Sequence, residues 1–375
     1  MRKKAIIREQ PLEYLRRSSD GTPFPAEVVK NWYMARAYVL DRLKDVVIGP
    51  DSGEHLKLVV GGDSPLRLAV VRQLCLSAHF VNYEEYDFRD RLSCRNRTEI
   101  TLVSGMDAAS ILRELEKEEY LGQLPALCKM TVYGQVRNAD SFLDVEIRVV
   151  HEQPEPDPDT ILITEADVER FVQDAPADEV FSIDTRRAVL AARVYDLGGL
   201  IDNIPAEDIH SARRYLIALD TYRYKLAEDK IGPLVDPATW EKDPKAVVNG
   251  VSSLFCADCF PSRARAIRQY AVRHGIPEQE AWERNNGALS CSEHNRWMVE
   301  RLILGFRPVT DAERLTYESL FGGSRKAYWK CLKNRREAPA HVDLCSFRDL
   351  RRIDPDNLKY DSFLLLAIPI ILEKA

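Results

Sequence analysis

The alternation of strand and helix patterns over residues 55–150 restricts the possible folds of this chain more than any other feature. A short apolar segment ending in two glycines, LKLVVGG, precedes PLRLAVVRQLCLSAHF, in which apolar residues recur at helical spacing. RTEITLVSG has the pattern of a second strand, DAASILRELEKEEYLGQL that of a helix, and KMTVYGQV and FLDVEIRVV are further strand candidates. This order is typical of a parallel sheet with flanking helices, which binds ligands beyond the carboxyl ends of its strands. We therefore predict an α/β domain over residues 55–150.

The remaining segments suggest a helical arm, a connector and a helical C-terminal domain. Residues 1–54 combine a charged start with a helix that ends at the loop IGPDSGEH. Residues 151–249 begin with HEQPEPDPDT, whose prolines and acidic residues indicate an exposed linker. The connector that follows fits either a second α/β half or a helical segment. Residues 250–375 have mostly helical patterns, so a chain of 375 residues is expected to form two or three domains.

Composition and charge narrow the class of protein. A net charge of -6 argues against broad binding to nucleic acid or to anionic membranes. The longest apolar run, FLLLAIPIIL at residues 363–372, is too short to span a bilayer and contains Pro369. No apolar core follows the basic N-terminus, so we predict no signal peptide, a cytoplasmic location and reduced thiols for the eight cysteines.

The glycine turn after the first predicted strand is a possible nucleotide site. Gly61 and Gly62 separate a strand from a helix, where backbone N–H groups can meet a phosphate. A dinucleotide fingerprint requires G-x-G-x-x-G, which Asp63 and Leu66 do not provide, and Asp63 would repel a pyrophosphate. Asp63 and Ser64 are also suitable helix caps. We favour a fold without a nucleotide here and keep a site at Gly61, Gly62, Asp63 and Ser64 as the alternative.

Two cysteine pairs raise the question of a metal. Cys256, Cys259, Cys291 and His294 are the residue types that bind zinc. The 31 residues between Cys259 and Cys291 are long for a small zinc module, and much of that span has a helical pattern. We therefore expect local packing of these side chains and no metal.

The segment LSCSEHNRWMVERLILGF, residues 289–306, predicts a helix that ends at Gly305. Helical spacing places His294, Trp297 and Arg301 on one face and Glu293 and Arg296 on the adjoining face. Ion pairs and core packing would explain this pattern. A ligand-binding surface would also explain this pattern, because Trp stacks on flat rings and Arg binds phosphate.

Three segments, SEHNRWMVERLILGFRP, HVDLCSFRDL and LKYDSFLLLAIPIIL, together resemble the RyR domain, a helical module of ryanodine receptors and of bacterial and phage proteins. CSF stands where that family commonly has a Pro-Tyr pair, and no Tyr-Gly follows the aromatic residue of GFRP. The α/β segment resembles the TrkA-N-like Rossmann domain that precedes the RyR domain in bacterial proteins. The positions that match the RyR pattern are Glu293, His294, Arg296, Trp297, Leu304, Gly305, Phe306, His341, Asp343, Leu344, Lys359 and Asp361.

The resemblance implies a ligand-responsive regulatory or sensor protein, with no catalytic residues, that recognises a nucleotide or cyclic nucleotide in phage-defence signalling. Trp297 would stack on the base, and Arg296, Arg301 or Lys359 would contact phosphate. Glu293, His294 and Asp343 would contact sugar or base, and His341 belongs to the same motif. An effector protein and a second copy of the chain are the further partners considered. The rival hypotheses are an NAD- or nucleotide-dependent enzyme using the glycine turn and a scaffold whose RyR-like domain binds another protein.

Overall fold

The computed structural model describes residues 11–15, 21–176 apart from 90, 139 and 156, residues 180 and 187, and residues 244–320, 339–353 and 358–374. The strands are β1 Lys57–Gly61, β2 Glu84–Phe88, β3 Arg91–Arg95, β4 Thr98–Val103, β5 Lys129–Val132, β6 Gln135–Val136, β7 Val145–Val150, β8 Thr160–Thr164, β9 Arg307–Pro308 and β10 Ala340–His341. The helices are α1 Ala26–Leu43, α2 Pro65–Ser77, α3 Ala108–Glu116, α4 Glu165–Asp174, α5 Pro244–Asp258, α6 Phe260–His274, α7 Glu278–Arg284, α8 Asn286–Ile303, α9 Asp311–Leu320, α10 Phe347–Ile353 and α11 Leu358–Lys374. Short 3-10 helices occupy Pro11–Tyr14 and Leu124–Ala126.

A six-stranded sheet in the order β6-β5-β7-β4-β1-β8 forms the centre of the α/β part. Its strands are parallel except β6, which is antiparallel to β5 at the edge. Strand β1 is apolar on both faces, as expected for a parallel strand that is covered by helices. Strands β4 and β7 have one apolar buried face, which includes Ile100 and Ile147, and a second face on which Arg148 pairs with Glu99 and Glu146. The predicted α/β class with a helical C-terminal region is therefore confirmed.

The sheet continues beyond residue 150, where the sequence placed the end of the α/β domain. Strand β8 pairs with β1 in parallel, with Gly61 opposite Thr164. A Thr164–Asp167 capping box then starts α4. The described part of HEQPEPDPDT is exposed as expected, but it connects two strands of one sheet.

The helix predicted over residues 107–124 is shorter in the structure, because α3 ends at Glu116. Beyond it, Gly122 has a φ of +52° and lies against the C-terminal end of α8, where a Cβ would be 2.6 Å from the Leu302 carbonyl oxygen. The backbone N–H of Gln123 donates to that same oxygen at 2.7 Å. A contact with a distant helix thus replaces continued helix in this segment.

Helix α2 joins the two halves of the described molecule. It is buried along its length and packs against α1 as well as against α5 and α8 of the C-terminal region. One hydrophobic core includes the sheet, α1, α2 and the C-terminal helices. Within the described residues, none of the helices combines the length and apolar character that crossing a membrane requires. The predicted connector covers residues 151–249. Most of it, beyond residue 176, lies outside the described residues.

Candidate functional site

Four buried charged side chains form an ion-pair network between α6 and α8. Arg263 Nη1 lies 2.6 Å from Glu293 Oε2, and Arg296 Nε lies 2.9 Å from Glu293 Oε1. One turn later, Glu300 accepts from Arg296 Nη1 at 2.8 Å and from the Ser252 hydroxyl of α5 at 2.8 Å. At 0–1% exposure, Arg263, Glu293, Arg296 and Glu300 have no access to a dissolved ligand. Two of the predicted ligand-binding residues, Glu293 and Arg296, therefore hold three helices together.

Charge pairing within this network outweighs the cost of burial. Burial by itself raises the pKa of the Glu293 carboxyl, but Arg296 and Arg263 bring that pKa down to about 2. The pKa of Arg296 is raised well above its ordinary value, since the attraction of Glu293 and Glu300 exceeds the desolvation of its guanidinium. Both groups are thus held in their charged forms.

His294 lies behind the surface as a neutral support. Its Nε2 is 2.9 Å from the Cys345 carbonyl oxygen, which requires that nitrogen to carry the proton. Burial lowers the pKa of His294 to about 4, although the bond to Cys345 and the charge of Glu293 oppose the shift. The His294 ring lies 5.9 Å from the rings of both Trp297 and Phe347, measured between centroids. It therefore fixes the inner side of Trp297.

A partly exposed cluster lies on the outer side of the same helix. We call Trp297, Arg301, Phe306, His341 and Asp343 the Trp297 cluster. The rings of Trp297 and His341 meet edge to face at 4.8 Å, and those of Phe306 and His341 at 6.4 Å. The Arg301 guanidinium lies 5.7 Å from the Trp297 ring and 5.8 Å from the Phe306 ring. The backbone N–H of Asp343 donates to His341 Nδ1 at 3.2 Å.

The backbone after α8 brings these distant residues together. Gly305 has a φ of +88°, and the N–H of Phe306 returns to the Arg301 carbonyl oxygen at 2.9 Å. This turn is the helix end that the sequence predicted. Strand β9 then pairs in parallel with β10, which sets His341 opposite Pro308 and next to Phe306. Three aromatic rings and one guanidinium thereby form a wall suited to a flat, anionic molecule.

The last predicted ligand-binding residue, Lys359, belongs to α11, but its side chain and that of Asp361 lie outside the described residues. No role was predicted for Phe347 or for the carbonyl group of Cys345, which both position His294. Only the fold reveals that α10 begins beside α8.

At the glycine turn, a carboxylate of the protein occupies the place that a phosphate would take. Glu165, the first residue of α4, accepts from the backbone N–H groups of Asp63 at 3.1 Å and Ser64 at 2.7 Å. It also accepts from the Ser64 hydroxyl at 2.6 Å. Gly62 has a φ of +132°, and a Cβ there would lie 2.3 Å from Glu165 Cδ. The backbone N–H groups before α2, which were considered as an alternative phosphate site, are therefore already bonded to an anion.

The four residues considered for zinc lie in separate environments. Cys256 belongs to the main hydrophobic core, while Cys291 packs with Tyr83 and Cys345 in a smaller cluster. Burial raises the pKa of the Cys259 thiol to about 12 and that of Cys291 well above its usual range. Within the described segments, no group of three or more His, Cys, Asp or Glu side chains could hold a metal ion.

Comparison of the chain with protein-family models, with curated proteins and with solved structures gives no match.

Proposed function

We propose that this chain is a ligand-binding regulatory protein, in which a Rossmann-like α/β part is joined to an RyR-like helical part that binds a small nucleotide-derived anion at the Trp297 cluster. The observation that carries the proposal is the contrast in burial along α8. Glu293 and Arg296 are buried in ion pairs, whereas Trp297 and Arg301 remain partly exposed beside His341. A wall of rings with one cation at its edge matches a flat base that carries a phosphate.

Each residue has a distinct part in this proposal. Trp297 offers its ring to the base, and Arg301 offers its guanidinium to the phosphate. Asp343 and His341 face the same cluster as hydrogen-bonding groups for the sugar or the base. His294, Glu293 and Arg296 act behind the wall, where they fix the helix that presents it.

A ligand at this cluster has a physical route to the rest of the molecule. The cluster rests on His294, which is bonded to the Cys345 carbonyl just before α10. The first amides of α10 are in turn held by Glu85 of the β2–β3 hairpin in the α/β part. Ligand binding that favours one placement of α10 would therefore bias the packing of the hairpin, as a regulatory function requires. The phage-defence role that the RyR resemblance implies stays a prediction.

The test is a binding panel of cyclic mononucleotides, cyclic dinucleotides, NAD and ADP-ribose, measured by thermal shift and then by calorimetry. At least one compound is expected to raise the Tm of the wild-type protein. Arg301→Met should lower the affinity for that compound about tenfold or more, which is equivalent to about 1.4 kcal/mol of binding free energy. The matched control is Arg284→Met, which removes an exposed arginine of α7 that pairs only with the neighbouring Glu280 in the described part of the chain.

Two results would contradict the proposal. One is a folded protein that none of the panel stabilises. The other is Arg301→Met with unchanged affinity, which would favour the scaffold hypothesis, in which Trp297→Ala weakens folding or partner binding without altering the affinity for any small molecule.

A further inference from the structure

A cavity of about 390 Å³ lies where the α/β part meets the C-terminal helices. Helix α1 and the end of α4 line one side, and the end of α5 and the start of α6 line the other. It shares no residue with the Trp297 cluster. Its volume is within the usual range for small-molecule sites, about 300–1,000 Å³.

The charges around the cavity are unequal. Among the described residues, four basic and two acidic side chains line it, which leaves an excess of two positive charges. Asp258 is bonded to Arg36, with 2.9 Å between Oδ2 and Nε, and Asp41 is bonded to Lys44 at 2.7 Å. The two acidic groups are thus already paired, and the described residues supply no carboxylate partner for Arg265.

Arg265, which is partly exposed, receives little hydrogen bonding from the described residues. Its Nε is buried without a hydrogen-bond partner, and its Nη2 reaches only the Leu43 carbonyl oxygen at 3.4 Å. No carboxylate in the described part of the chain forms an ion pair with it. Burial lowers the pKa of Arg265, and the charge of Asp45 opposes the shift. Burying one side of a guanidinium without an anion is unfavourable, and an anionic ligand at this partly exposed group would offset that cost.

The lining also includes apolar side chains. Phe80 and Phe171 provide rings, and Leu40 and Pro261 provide aliphatic surface. Such a mixture of apolar surface and a few charged groups is typical of sites for small organic ligands. We propose that this cavity binds a small organic anion, a ring or apolar body that carries a single phosphate or carboxylate, with the anionic group on Arg265 and the body between Phe80 and Phe171.

The position of the cavity gives binding a consequence for the whole molecule. Residues from α1 and α4 and residues from α5 and α6 would contact the same ligand. Because such a ligand binds only when both parts are in place, it stabilises their packing by mass action. This site is independent of the ligand proposed for the Trp297 cluster.

The experiment uses phenyl phosphate and benzoate as anionic probes, benzyl alcohol as the neutral analogue and inorganic phosphate as the anion without a body. Calorimetry and thermal shift are carried out on the full chain. We expect phenyl phosphate or benzoate to bind and to raise the Tm, and benzyl alcohol and inorganic phosphate to bind at least tenfold more weakly. The anion that binds more tightly identifies the head group.

Three variants assign the binding to this cavity. Arg265→Gln is expected to lower the affinity for the anionic probe at least tenfold. Without ligand, this variant should be no less stable than the wild type, because it removes an uncompensated charge. Arg268→Gln is the matched control on the same helix, since its side chain is exposed and bonds to Glu278. Ala175→Leu should block the cavity without altering its charge, and Arg301→Met should leave this binding unchanged.

The proposal is overturned if neither anionic probe binds the wild-type protein, or if Arg265→Gln or Ala175→Leu binds the probe as the wild type does. If Arg301→Met is the only variant that loses binding, the probe binds at the Trp297 cluster. That result would also refute this site. If Arg265→Gln does not fold, Ala175→Leu decides the question.

Discussion

Burial divides the polar residues of α8 into supporting and contacting groups. Glu293, His294 and Arg296 are at most 2% exposed, whereas Trp297 and Arg301 of the same helix are partly exposed. Adjacent residues thus have different roles, because an α-helix turns its side chains by about 100° per residue. The buried group determines where the helix lies, and the partly exposed group determines what it can bind.

Removal of the central carboxylate should reveal the structural role of the ion-pair network. Glu293→Ala leaves Arg263 and Arg296 buried without their shared partner, so we expect a loss of about 3–5 kcal/mol in the free energy of unfolding. Urea unfolding measures the change. Glu280→Ala, which breaks the exposed pair with Arg284, is the control and should cost at most about 1 kcal/mol. Similar losses in both variants would show that the buried network is not a major source of stability.

His294 should make the protein sensitive to mild acid. Its pKa is about 4 in the folded protein and about 6.5 in the unfolded chain. As the pH falls below about 6.5, the His294 imidazole becomes protonated in the unfolded chain, whereas in the folded protein it stays neutral down to about pH 4. The free energy of unfolding therefore decreases between these two pH values. The difference corresponds to about 3 kcal/mol at most.

Unfolding free energies of the wild type and of His294→Gln, compared between pH 7 and pH 4, measure this effect. The wild type should lose more stability than the variant, because glutamine does not titrate. Parallel curves for the two proteins would exclude His294 as the source of the acid sensitivity.

Among the secondary-structure elements, the β2–β3 hairpin connects the α/β part to the helical part. Glu85 of β2 accepts from the backbone N–H groups of Phe347 at 3.1 Å and Arg348 at 2.8 Å. These are N-terminal amides of α10, which have no acceptor within their own helix. The carboxylate therefore caps a helix that is more than 260 residues away along the chain. Tyr83 adds apolar contact, since it packs in the same small cluster as Phe347 and Leu350.

Loss of this cap should loosen α10 without unfolding the sheet. Glu85→Ala removes two charge-assisted hydrogen bonds, and we expect a local destabilisation of about 1–2 kcal/mol. Hydrogen exchange should become faster at the amides of Phe347 and Arg348 and remain unchanged in β4. Glu84→Ala is the matched control, because its side chain is exposed and bonds only to Arg95 across the hairpin among the described residues. Equal protection of α10 in both variants would argue against the cap.

For the molecule as a whole, the packing predicts one cooperative unit instead of separately folding domains. The main hydrophobic core runs from the sheet through α2 to α8, and the backbone bond from Gln123 to Leu302 crosses the same boundary. Neither part can therefore expose its inner face without breaking the other part's core.

Native-state hydrogen exchange tests this cooperativity. The amides of Ile100 and Leu102 in β4 and those of Met298 and Val299 in α8 lie at fully buried residues. We expect them to exchange with the same free energy of opening, that of global unfolding. A gap of more than about 2 kcal/mol between the two sets would indicate two units that unfold separately.

Local patterns were sufficient for several parts of the fold. Apolar runs of strand length, the turn at Gly61 and Gly62 and the helical spacing after it predicted β1 and α2, and the same reasoning located β4, β7 and α8. The continuation of the sheet beyond residue 150 and the hairpin of β2 and β3 were not predicted. The continuation depends on pairing between strands that are distant along the chain, which leaves no local mark. The hairpin strands are polar and largely exposed, so they lack the apolar alternation by which strands are located.

The candidate site shows the same division. The motif around Trp297 was visible because Glu, His, Arg and Trp at helical spacing are informative by themselves. The sequence alone thus determined the α/β class, the helical C-terminal region and the helix that carries the Trp297 cluster, because propensity and periodicity act within one element. Only the tertiary structure decided that Glu293 and Arg296 are buried, that His341 lies beside Trp297, and that Glu165 fills the glycine turn. Whether a side chain is buried or paired depends on segments that are far apart along the chain. Packing of the folded chain brings these segments together, so the neighbours in the sequence do not reveal the partner.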